Sequence, residues 1–229
     1  KSTIYYYIHD TSGYINTDSR GFEYASYHTL QEEKYIENVF ESIDPLISLD
    51  FTRTYIESQG DINIYCLGDY YGGYAGLTYS TNDSDIEIFW ENQNAFSYVR
   101  NYGDLMDLDA FTLIHEIGHA LGLSHPNNDP EGSWHNSNDT VMSYNFIYNE
   151  YSYYANAPVW STIDKLALES IWSGENQAVN EDIPSIDSLT GLTIGNTYKL
   201  DGIKDYDGNL HGFLGDAPSD VITGYKFHG

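Results

Sequence analysis

The run His115-Glu116-Ile117-Gly118-His119-Ala120-Leu121-Gly122-Leu123-Ser124-His125 restricts this chain more than any other stretch of it. His115 and His119 are four residues apart. On a helix their side chains therefore lie one above the other, roughly 5–6 Å apart at Cβ, and two imidazole nitrogens can converge on one ion. Gly122 permits a sharp turn where a side chain would be strained, and that turn can bring His125 round as a third ligand. Three neutral imidazoles leave the fourth position of a tetrahedral zinc open, which marks a catalytic site rather than a structural one. Glu116 follows the first ligand directly and projects beside the metal without binding it, as a general base must. Histidines four apart also occur in ordinary core helices, but the addition of Gly122 and His125 makes the pattern much narrower. Three imidazoles suit other divalent transition ions as well as zinc, so the donor set alone leaves the metal open.

The rest of the chain has to house that helix. With 229 residues there is room for one domain with a substantial core and some tens of residues besides. The formal charge of −26 arises from 35 acidic against 9 basic residues. Phosphate backbones and anionic headgroups need clustered Lys and Arg, so nucleic-acid and membrane-surface binding are excluded classes. Acidity without an acidic block reads as a solvated surface, with adaptation to salty or calcium-rich surroundings as the sharper alternative. Aromatic residues reach 16%, far from a disordered composition. The single cysteine, Cys66, rules out an intramolecular disulfide and a thiolate metal site, and its place in the run Ile62 to Leu67 reads as a buried strand position. No stretch approaches the roughly 20 apolar residues of a spanning helix. The start at Lys1 has no signal-peptide pattern, so a mature or trimmed chain is expected.

Along the chain, Ile4 to Ile8 reads as a strand, followed by a loop through Gly13 and Gly21. Between Thr29 and Ser48, apolar residues at Leu30, Ile36, Val39, Phe40, Ile43 and Ile47 predict an amphipathic helix, with Pro45 near its end. Strands are expected at Phe51 to Ile56, Asp61 to Leu67, Leu77 to Ser80 and Ile86 to Trp90. The histidine helix should run from Leu105 to Leu121 with Asp107 or Asp109 as N-cap. Residues 126 to 157 are rich in Asn, Ser, Pro and Tyr without period, an irregular length that is uncommon in a compact domain unless it serves a site. A last helix starts at the N-cap Ser161, with Asp164 completing a capping box. Past Trp172 the composition shifts to Ser, Gly, Asn, Asp and Pro, which predicts one domain over residues 1–173 and a linker with a partial β-rich segment over 174–229.

The extended histidine string resembles the signature of the metzincin metalloproteases, and it is most similar to their serralysin-like and matrixin-like branch. The resemblance implies an α+β zincin fold over residues 1 to about 173. Its parts are a twisted, mostly parallel sheet with an antiparallel edge strand, an active-site helix, an irregular lower subdomain with a Met-turn, and a closing helix. Val141-Met142-Ser143-Tyr144 looks like that Met-turn in its serralysin form, with Met142 packing beneath the imidazoles. Tyr144 would then sit at the metal in the resting enzyme and hydrogen-bond the transition-state oxyanion. In the family an edge strand pairs with extended substrate, and Gly73 to Tyr79, in particular Gly73, Tyr74, Ala75, Gly76 and Leu77, is the matching segment. The function so implied is that of a secreted, monomeric zinc endopeptidase acting on protein or peptide substrates.

Two departures matter. No Gly-Gly-x-Gly-x-Asp repeat follows, so the calcium-dependent β-roll of serralysins does not carry over. Asp205-Tyr206-Asp207-Gly208-Asn209 has alternating oxygen donors but lacks the bidentate Glu of an EF-hand, and reads as an ordinary turn with a calcium loop as the alternative. His9, His28, His135, His211 and His228 have no ligand-like partner at short spacing and read as incidental. A non-catalytic binding module is the competing reading, and the intact Glu116 argues against it.

Overall fold

Alternation of period two decides which way each strand of this protein faces. In the computed structural model, described over residues 2–67, 75–81, 85–92, 105, 107–145 and 158–174 and at the backbone of 203–204, 210–211 and 226–227, β1 spans Ser2–Ile8. Ile4, Tyr6 and Ile8 of β1 enter the main core, Tyr7 joins a separate cluster on the opposite face, and Tyr5 is exposed. β5 (Ile62–Leu67) and β7 (Ile86–Glu91) are buried along their whole length because both of their faces are covered. Ile62, Ile64, Cys66, Ile86, Ile88 and Trp90 face the main core, and Tyr65, Leu67 and Phe89 face the second cluster. Cys66 is a fully buried thiol, as its setting in the sequence indicates.

The strands β4 (Leu49–Thr54), β1, β5 and β7 lie side by side in that order, all parallel. β6 (Gly76–Ser80) runs antiparallel to β7, and Lys226–Phe227 pairs antiparallel with β6. A short two-stranded pair joins Ile203–Lys204 to Leu210–His211. This mixed sheet with few helices fits a metzincin-like α+β fold.

α1 (Leu30–Ile43) is capped by Thr29, whose side chain accepts from the Glu32 amide while Glu32 reaches back to the Thr29 amide. Its buried face, Tyr35, Ile36, Val39, Phe40 and Ile43, packs on the sheet, where Tyr6 and Phe40 stack at 4.3 Å between ring centroids. Pro45 follows in a single turn of 3-10 helix, Asp44–Leu46. α2 (Asp107–Ala120) lies against the same side of the sheet, and α3 (Thr162–Trp172) closes the described core. Asp107, a candidate N-cap in the sequence, is the first helical residue.

One expectation needs correcting. The segment through Gly13 and Gly21 is a hairpin of β2 (Gly13–Thr17) and β3 (Gly21–Ser26), joined to the end of β5 through Ala25 and Ser26. Its turn is held from afar: the buried carboxylate of Glu87 accepts from the amides of Asp18 at 3.0 Å and Ser19 at 2.9 Å, and from the Ser19 hydroxyl.

Candidate metal centre

Every residue of α2 and its exit from Asp109 to Leu123 is buried, polar ones included. The helix ends where Gly122 takes a left-handed φ of 97°, and the chain folds back so that His125 faces His115 and His119. The ligand-type atoms of the three residues lie within 4.8 Å of one another, and they are the one such group among the described residues.

Hydrogen bonds at the far side of two rings fix which nitrogens point inward. Nδ1 of His115 lies 2.7 Å from the Val141 carbonyl and Nδ1 of His119 lies 2.9 Å from the Leu123 carbonyl. A carbonyl only accepts, so each Nδ1 carries the proton and each Nε2 presents a lone pair to the centre. His125 Nε2 stands 3.3 Å from both inward nitrogens. A tetrahedral zinc with bonds of about 2.0–2.1 Å places neighbouring ligand nitrogens roughly 3.3 Å apart, so this spacing fits the ion. Lone pairs converging in a buried site repel one another unless a cation lies between them. Burial also keeps the rings in their ligating neutral form, pulling His115 down to about 4, His125 to about 3 and His119 well below its usual value.

Glu116, one residue on, projects to the side of this triangle and toward β6. Burial pushes its carboxyl up to about 8, and a hydrogen bond from Thr78 opposes that rise. Met142 is buried with its sulfur against Gly118 of α2, where a Cβ would stand only 2.7 Å from it. The ring of Tyr144 lies at the rim, with its centroid 5.4 Å from that of His115 and 4.9 Å from that of His125, and it remains 38% exposed. Of the segment compared with a substrate strand, Gly73 and Tyr74 lie outside the described residues, Ala75 sits in a bend, and Gly76 and Leu77 begin β6. Asp205 to Asn209 also fall outside the described residues.

Several contributors carry no sequence signal beyond their local role. Asp164 caps α3, but its buried carboxylate also accepts from the Thr140 hydroxyl at 2.5 Å and the Val141 amide at 3.1 Å. Val141, whose carbonyl orients His115, is thus tied to α3 through its amide. His135 braces the loop between α2 and α3, with Nδ1 2.8 Å from Ser143 Oγ and Nε2 3.0 Å from the Asp129 carbonyl. His28 is likewise a core residue, receiving a bond from Trp90 Nε1 at 2.9 Å while its Nδ1 meets the His9 carbonyl.

No curated protein matches the chain. Residues 20–126, somewhat less than half of it, match a family model described as metallo-peptidase family M12B, reprolysin-like. That stretch runs from the hairpin to one residue past His125, and it is similar to a metzincin-type metallopeptidase, although of another branch than the serralysin-like resemblance of Met142-Ser143-Tyr144.

Proposed function

We propose that this chain is a secreted zinc metalloendopeptidase that hydrolyses internal peptide bonds, with His115, His119 and His125 as ligands and Glu116 as general base. The observation carrying this reading is the triangle of inward imidazole nitrogens spaced for a tetrahedral ion, with a buried carboxyl at its side. The match to a reprolysin-like metallopeptidase supports a peptidase acting on proteins or peptides.

When bound, zinc supplies Lewis acidity, which acidifies a water and polarises the scissile carbonyl. Glu116 would take the water's proton on a carboxylate oxygen and pass it to the departing amide nitrogen, the two transfers a carboxyl beside the metal is placed to make. Tyr144 is the proposed oxyanion donor, supported by the place of its ring beside His115 and His125. Met142 is the proposed floor of the site, and its contact with Gly118 supports this. An extended substrate would add as a strand along Gly73, Tyr74, Ala75, Gly76 and Leu77. The Met-Ser-Tyr sequence favours the serralysin-like form of the turn. No described helix is long and apolar enough to cross a membrane, and release from the cell as a monomer is part of the proposal.

The test combines metal analysis with turnover. The purified chain should bind near one zinc and cleave an unfolded protein such as casein, and cleavage should vanish with a zinc chelator or with Glu116→Gln. Full activity in Glu116→Gln would sink the assignment of the base.

A further inference from the structure

β6 alternates its faces: Leu77 and Tyr79 enter the aromatic cluster on the far side of the sheet, so Gly76 and Thr78 point toward α2. Thr78 is almost wholly buried, and its Oγ1 lies 2.7 Å from Oε2 of Glu116 and 3.0 Å from the main-chain oxygen of Glu116. Two residues away, a Cβ at Gly76 would stand 2.7 Å from both Cγ and Oε1 of Glu116. One strand therefore meets both carboxyl oxygens, one through a hydroxyl and the other through the absence of a side chain. A valine would fill the volume of Thr78 equally well and suit a buried strand better, because a buried hydroxyl is costly without a partner.

Resting on the reading of Glu116 as general base, we propose that Thr78 is a positioning residue for it. Its hydroxyl pins Oε2, Gly76 leaves room for Oε1, and Oε1 is thereby the oxygen offered for proton exchange. Thr78 has one proton and two oxygens of Glu116 in reach, of which the main-chain oxygen can only accept. Because the proton is exchanged at Oε1, Oε2 stays an acceptor throughout, and the Thr78 hydroxyl donates to it whether Glu116 is ionised or protonated at Oε1. Both states of the base then have a partner without movement of heavy atoms, which is the arrangement that keeps reorganisation out of a catalytic step.

The test compares Thr78→Val, which keeps the shape and deletes the hydroxyl, with Thr78→Ser, which keeps the hydroxyl. In the zinc-loaded full chain acting on labelled casein, Thr78→Val should lower kcat about 10- to 100-fold, the range seen when a group supporting a site residue is lost, with KM and zinc content unchanged. Thr78→Ser should recover most of that loss. A second readout needs no turnover: infrared difference spectra of the metal-free chain, with Glu116→Gln identifying the band, should show the Glu116 carboxyl stretch displaced in Thr78→Val and restored in Thr78→Ser. Wild-type kcat in Thr78→Val, equal impairment in both variants, or an unmoved band would each overturn the proposal. A band that moves as described in a wild-type chain that cleaves nothing would overturn the endopeptidase reading, and with it any catalytic part for this contact.

Discussion

The helices α1 and α2 have the same length and lie against the same side of the sheet, yet they are stabilised in different ways. α1 follows local rules: a complete capping box, one apolar face inward, and an outer face that meets water at Lys34, Asn38 and Glu41. α2 buries Asp109, Thr112, His115, Glu116 and His119 along with its apolar residues. Polar groups taken out of water cost free energy unless each finds a partner, and the partners of His115 and Glu116 come from distant parts of the chain, Val141 and Thr78. The first helix is therefore explained by its own sequence, and the second by what surrounds it.

That contrast can be broken by substitution. The largest effect is expected for His119→Ala, which removes an imidazole from the triangle: zinc content and proteolysis should both be lost, while circular dichroism of the folded chain persists. Glu116→Gln should keep its zinc and lose the general-base contribution, a fall of roughly 10²- to 10⁴-fold in kcat. The same variant exposes a stability cost in the metal-free chain. Burial pushes the folded carboxyl up to about 8, above the ordinary glutamate value of about 4.5, so the metal-free folded state holds this proton more tightly than the unfolded chain. Its stabilising share is complete below about 4.5 and fades as pH rises toward 8. Glu116→Gln should therefore gain on the wild type in chemical denaturation across that window, and equal curves at both ends would refute the assigned burial.

Smaller effects separate the helices by the same residue type. Gly118→Ala puts a methyl against the Met142 sulfur and should destabilise by about 1–3 kcal/mol, although alanine is the better helix former. Asn38→Ala on the exposed side of α1 should instead stabilise by a few tenths of a kcal/mol, or about 0.5 at most, by helix propensity alone. Thr29→Ala removes the cap of α1 and should cost about 1 kcal/mol in urea denaturation, with zinc affinity unchanged.

The sequence made the parallel strands, α1 and α3 legible because their signals are local: period two, period near 3.6, and Ser or Thr followed three residues later by an acid. The histidine string identified which side chains the fold would gather, since their spacing works only on a helix followed by a turn. The hairpin escaped that reading. Tyr14, Phe22 and Tyr24 of β2 and β3 point outward while Thr17 and Ala25 are buried, so the large apolar residues do not mark the inner side, and the turn is fixed by Glu87, 69 residues from Asp18. Thr78 was equally silent, because threonine in a strand is ordinary for its β-branched shape and only the approach of α2 gives its hydroxyl a task. Asp164 announced its cap but not its hold on Val141, which depends on a loop whose path no periodicity describes.

The three histidines are close in the chain as well as in space, falling within one segment of α2 and its exit. An unfolded chain keeps that proximity, so it retains some capacity to chelate. Added zinc should then raise the melting temperature by less than its affinity for the folded protein implies, since the ion also stabilises the denatured ensemble. A site assembled from remote segments would give up all of its ligands on melting, whereas this one carries a rudimentary metal trap into the unfolded state.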